Sequence, residues 1–138
     1  MLKIYSDAAV SQQQKCAGAG LVVSGEHLHE QLSFPLPGIL DNHLAELHAF
    51  HLALRWVIDN ERTTEWAVFH TDSQLVAQSV EKGHIKKEAY TSIFELILSS
   101  LSMLQLYEIT WIPEKDNKGA DNLAKQAIAN QLKKRRKK

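Results

Sequence analysis

The sequence predicts an α/β domain built on one mixed sheet of five strands, with helices packed against it. Three observations carry this. Three strand-like runs follow one another within the first 34 residues, separated by short polar or glycine-bearing breaks. Two further strand-like runs then alternate with helical patterns, the arrangement that makes strands parallel neighbours. The length, 138 residues, suits one domain whose core needs neither disulfides nor a structural metal.

Taken in order, "LKIYSD" (2–7) is the first strand, with Ile4 and Tyr5 suited to a pleated surface and Asp7 at its end. "SQQQKCAGAG" reads as a polar turn containing Gly18 and Gly20, leading into "LVVSG"; "EHLHEQLSF" alternates as a third, antiparallel strand. "PLPGILDN" breaks the chain and offers Asp41 or Asn42 as a helix cap. In "LAELHAFHLALRWVIDN", Leu47, Phe50, Leu54, Val57 and Ile58 recur at helical spacing. "EWAVFHTD" is a strand and "SQLVAQSV" a short helix; "AYTSIFELILSSLSML" is a helix with Ile93, Leu96, Ile97, Leu101 and Leu104 inward. "YEITWIP" is the last strand, stopped by Pro113, and "NKGADNLAKQAIANQL" the last helix. Trp56, Trp66 and Trp111 read most simply as core or interface residues, and the histidines as structural or surface groups.

The net charge of zero is unevenly placed. "KKRRKK" at the end holds six of the 16 Lys and Arg, which leaves 10 against 16 Asp and Glu in residues 1–132. A folded domain over 1–132 and a basic, disordered tail over 133–138 are therefore expected. Such a tail can add salt-dependent, sequence-blind attraction to nucleic acid. The lone Cys16 forms no internal disulfide and no zinc site, and the start has neither the charge nor the apolar run of a signal peptide. No stretch approaches transmembrane length, so a cytoplasmic protein without a membrane partner is expected, most simply a monomer.

The informative residues are acids. Asp7 and Asp72 both fall at strand carboxyl ends, where ligands of such sheets gather. Glu46 lies early in the long helix at the edge of its apolar stripe, and Asp121 near the start of the last helix. Each has a plain structural role open to it: a cap for Asp72, a dipole partner for Asp121, a first-turn acid for Glu46, a turn residue for Asp7. Together they would repel one another by several kcal/mol, a cost that divalent cations remove. Oxygen ligands select Mg²⁺ or Mn²⁺ over zinc, and two such ions can clamp a phosphodiester.

The blocks "IYSDAA", "DNHLAELHA", "HTDSQLV" and "WIPEKDNKGADNLAKQA" resemble, in order and spacing, the signature blocks of type 1 ribonuclease H, covering everything but the tail. The resemblance implies the ribonuclease H-like fold, a five-stranded mixed sheet with three antiparallel strands. It also implies hydrolysis of the RNA strand of RNA–DNA hybrids with Mg²⁺ or Mn²⁺, two ions per site with substrate bound, leaving 5′-phosphate and 3′-hydroxyl ends. By the same mapping Asp7, Glu46, Asp72 and Asp121 are the metal-binding catalytic acids, and Ala8, Asn42, His43, Ser73, Gln74 and Asn117 the substrate-contacting set. Recognition would rest on 2′-hydroxyls and groove shape. The chain departs from the family's pattern at Ala8, where glycine is usual and a methyl would crowd the scissile phosphate, and at His43, where a second asparagine is usual. It also lacks the loop histidine, the basic handle and the glycine-rich first loop, and Glu114-Lys115 reverses an arginine-glutamate order. These departures keep open a competing reading, a weak or silent module of the same fold that binds nucleic acid or a protein. A resolvase- or integrase-like DNA nuclease shares the acids, but the "DSQ" and "ADNLA" blocks favour the ribonuclease branch.

Overall fold

The computed structural model describes residues 1–137. One sheet, in the order β3-β2-β1-β4-β5, contains β1 (Leu2–Ser11), β2 (Cys16–Gly25), β3 (Leu28–Pro35), β4 (Trp66–Thr71) and β5 (Leu106–Trp111). The first three strands pair antiparallel; β4 lies parallel to β1 and β5 parallel to β4. The helices are α1 (Asn42–Asp59), α2 (Gln74–Lys82), α3 (Thr91–Leu101) and α4 (Lys118–Arg136). Among the described residues no helix is long and apolar enough to cross a membrane.

Alternation along β1 sends Leu2 and Ile4 into a core shared with Leu21, Val23 and Phe69. From α1, Leu47, Phe50, Leu54 and Val57 press on this surface, and the Phe50 and Phe69 rings meet edge to face at 5.6 Å. Asp41 caps α1 by accepting from the Leu44 N–H at 3.0 Å. Ser73 caps α2 in the same way, and Gly83, with φ of 67°, ends it.

Several expectations need correction. β1 does not end at Asp7: its antiparallel pairing with β2 runs on to Ser11↔Cys16, whereas the parallel ladder with β4 stops at Ser6↔Thr71. Beyond Ser6 one edge of β1 is therefore free. Gly18 and Gly20 lie inside β2, not in a turn, because α4 crosses directly over them. A Cβ on Gly18 would stand 2.5 Å from the Ala127 Cβ, and one on Gly20 would collide with the backbone of Ala120 and Ala124. Leu96, expected inward on α3, is 53% exposed, and Phe94 takes an inner place instead. Trp56 is buried and donates its indole N–H to Glu30 at 2.7 Å, but Trp66 and Trp111 are exposed. The basic tail is helical through Arg136, so residues 133–136 extend α4 where disorder was expected; Lys138 lies outside the described residues. Cations in a last helical turn complement the macrodipole, and Arg135 donates to the carbonyls of Gln14 and Lys15, which anchors that end.

Candidate active site

The strand geometry brings the acids together. Asp7 and Asp72 each follow the last parallel pair, Ser6↔Thr71, so both carboxylates stand at the point where β1 and β4 part. Glu46, in the second turn of α1, comes from the layer above, its side chain leaning towards the helix N-terminus. One oxygen from each of Asp7, Glu46 and Asp72 lies within 4.8 Å of the others. Asp7 is only 7% exposed, and Glu46 Oε1 is shut away from solvent without a hydrogen-bond partner. Such an orphaned buried acceptor has a cost unless something positive faces it.

Asp121 stands slightly apart, outside that trio, on the rim of the same basin, which encloses about 450 Å³. Its carboxylate is 2.9 Å from Lys125 one helical turn on, an exposed and therefore weak pair that an incoming cation can replace. The structure thus gathers three of the four expected acids tightly and leaves the fourth within reach.

Electrostatics follow the crowding. Burial, then the charge of Asp72, pushes the Asp7 carboxyl up to about 8; burial, then the charge of Asp7, pushes Glu46 up to about 10. An acid whose folded pKa exceeds its unfolded value contributes stability that is complete below about pH 4 and is lost as pH climbs through the folded value. Cation-free protein is therefore expected to lose unfolding free energy steadily as pH rises from 5 to 9. Urea titrations in chelator check this. Mg²⁺ should restore stability more at pH 8 than at pH 5, and Asp7→Asn should flatten the pH profile; a profile as steep in Asp7→Asn as in the parent would contradict the assignment.

The expected substrate contacts divide into two groups. Asn42, His43 and Gln74 are exposed at the basin's edge. Ser73 and Asn117 are buried and already hydrogen-bonded within the protein. The Ser73 hydroxyl accepts from Val76 N–H at 3.2 Å, and Ser73 is buried. Asn117 is 1% exposed and donates its amide to the Ser6 carbonyl at 2.9 Å, tying the start of α4 to the residue before Asp7. Both are better described as supports that hold the acids in place. Ala8, expected to crowd the site, does line the basin beside Asp7 and Asp72, and also packs against the small-residue cluster of Ala17, Ala19, Ala45 and Ala49.

Two supporting residues escaped the sequence reading. The Trp111 indole donates to the Asp72 carbonyl at 3.1 Å, a contact legible only once β5 is placed beside β4. Tyr90, ahead of α3, donates its hydroxyl to Asp41, with oxygens at 2.8 and 2.9 Å, and so fixes the α1 N-terminus that presents Asn42 and His43. The two stand 49 positions apart, and nothing in the sequence signals this pair. Tyr90→Phe is expected to cost about 1–2 kcal/mol of stability by denaturant titration, because a hydrogen bond to a charged acceptor is lost. Among the other histidines, His70 stacks on Tyr5 at 4.3 Å, and burial lowers the pKa of His48, His51 and His70.

The donor set fits a hard divalent cation. All three converging ligands are carboxylates, and burial leaves Glu46 Oε1 needing a positive partner. The family model for RNase H matches residues 1–129. The chain is 38% identical over 128 residues to a protein of Enterococcus faecalis described as putative hydrolase EbsB, covering 93% of this chain and 94% of that one. Among solved structures, RNase H1 from the halophilic archaeon Halobacterium salinarum superposes with a TM-score of 0.82 at 23% identity, covering 94% of this chain and 98% of that one. LC11-RNase H1 in complex with RNA/DNA hybrid superposes with a TM-score of 0.83 at 22% identity, covering 96% and 99%.

Proposed function

Since the chain belongs to the RNase H family, we propose that it is a cytoplasmic endonuclease that hydrolyses the RNA strand of RNA–DNA hybrids with Mg²⁺ or Mn²⁺, leaving 5′-phosphate and 3′-hydroxyl ends. The observation that carries this reading is the trio of Asp7, Glu46 and Asp72 with a buried, unpartnered Glu46 oxygen. A fold that is repelled by its own acids is matched to cations. The hybrid held by a solved structure of the same fold supports the substrate class.

Asp7, Glu46 and Asp72 would hold the cation, with Asp121 joining from the rim on release from Lys125. A divalent cation bound there supplies charge neutralisation of the phosphodiester and a more acidic water. Asn42, His43 and Gln74 would offer polar groups to the hybrid's minor groove, where 2′-hydroxyls separate RNA from DNA. Asn117 and Trp111 keep the Asp7 and Asp72 backbones in register.

A labelled hybrid incubated with Mg²⁺ or Mn²⁺ tests the proposal, with duplex DNA and a four-way junction as competitors. RNA-strand cleavage of the hybrid alone is the expected outcome. Cleavage of duplex DNA or the junction in preference to the hybrid, or no cleavage with either ion, would overturn it.

A further inference from the structure

The substrate just proposed is a polyanion, yet the body over 1–132 holds 16 acids against 10 bases, and three of those acids converge at its site. Attraction must come from cations placed beyond that centre. A groove of about 530 Å³ follows Ala8, Ala9 and Val10 along the free edge of β1, with Lys115, Lys118 and Lys125 beside the acids Asp7, Asp72, Glu114 and Asp121. β1 leads on to the 12–15 turn, and there the C-terminal end of α4 is pinned.

That end is both charged and fixed. Arg135 donates to the carbonyls of Gln14 at 2.8 Å and Lys15 at 3.3 Å, and Gln131 donates to Ala17 at 2.8 Å. Lys133, Lys134, Arg136 and Lys137 are exposed, and none is in an ion pair among the described residues. So many like charges on adjacent turns repel one another until an anion lies across them.

Resting on the function proposed above, we infer that the basic end of α4 is a second contact for the hybrid, taking the sugar-phosphate backbone of a duplex whose scissile phosphate sits over the acids. From Asp121 to Lys134 the helix rises about 20 Å, at roughly 1.5 Å per residue. At about 3.4 Å per base pair that distance spans roughly six base pairs. The contact therefore operates only on hybrids reaching at least that far from the cut. An anionic lipid surface is the rival occupant, but β1 runs from the basin to the turn on which Arg135 pins the helix end, and this alignment of the two sites favours the nucleic acid.

The test replaces Lys133, Lys134, Arg136 and Lys137 with glutamine and keeps Arg135, so that the helix anchor survives, which circular dichroism and thermal melting verify. Binding is measured in an Asp72→Asn background to prevent turnover, with hybrids of about 6 and 18 base pairs over a salt series. The expected result is at least about a tenfold weaker Kd for the long hybrid at 50 mM salt, and a log–log salt slope smaller by about 2–3. The short hybrid should lose less than about threefold. Equal losses at both lengths, an unchanged slope, or lost binding to phosphatidylglycerol vesicles with hybrid affinity intact would each overturn the inference while leaving the proposed hydrolysis standing. Failure of the unaltered chain to bind or cleave any hybrid would instead sink the proposed function, and this inference with it.

Discussion

Asp72→Asn is expected to lower the rate of RNA-strand cleavage by at least about three orders of magnitude while the protein stays folded. The reason lies in how little the fold depends on that carboxylate and how much the cation would. Asp72 sits one residue beyond β4, and its backbone is held independently by the Trp111 indole and by the Ser73 N–H bonded to Thr71 Oγ1 at 3.1 Å. Asparagine preserves the shape and removes the charge. The acid cluster then loses one of three converging anionic oxygens, and with it the affinity and placement of a cation on which the whole reaction rests. A loss of that size corresponds to about 4 kcal/mol of transition-state stabilisation. Single-turnover cleavage of a labelled hybrid measures it, and thermal melting provides the control. Melting in chelator should show a Tm equal to or above that of the parent, since a repelling charge has gone. A variant retaining more than about a tenth of the parental rate would remove Asp72 from the mechanism.

Gly20→Val is the second large effect, and it acts on the fold. Even the first carbon of a side chain there would lie 2.6 Å from the Ala124 nitrogen and 2.7 Å from the Leu123 Cβ. Backbone cannot yield as a flexible side-chain tip does, so α4 must lift from β2. Overpacking of this kind costs about 3 kcal/mol, roughly 10 °C in Tm for a domain of this size. Because Asn117 and Asp121 travel with α4, cleavage should fall along with stability. Gly25→Ala is the comparison: its nearest neighbour would be a leucine methyl at 3.2 Å, which can adjust, so a far smaller change is expected. Chemical denaturation of the two variants side by side checks the pair.

The same glycines show where sequence reading stopped. Strand order, helix stripes and the placement of Asp7, Glu46 and Asp72 were legible because each depends on local periodicity or on the end of an element. Gly18 and Gly20 next to a polar "SQQQK" look like a turn, since the helix that demands them is about 100 residues away. Ser73 and Asn117 resembled ligand contacts by position in their blocks, and only burial revealed them as supports. The tail's charge suggested disorder, but the carbonyls that anchor Arg135 belong to a turn at the other end of the chain. Lys125 one turn after Asp121 could be read directly, but whether it keeps that carboxylate depends on the cation that competes for it.

The close seating of α4 on the glycines of β2 also bears on how the chain matures. A strand from the beginning of the sequence is completed by a helix from near its end, so the contacts that finish the sheet close a very long loop and form late. A nascent chain still short of residue 118 has the β1–β2 hairpin but a bare, glycine-lined face on it, the kind of surface through which unfinished proteins associate. It also lacks Asp121 and the Asn117 tether. A chain stopped before the last helix is therefore expected to show no cleavage of a hybrid.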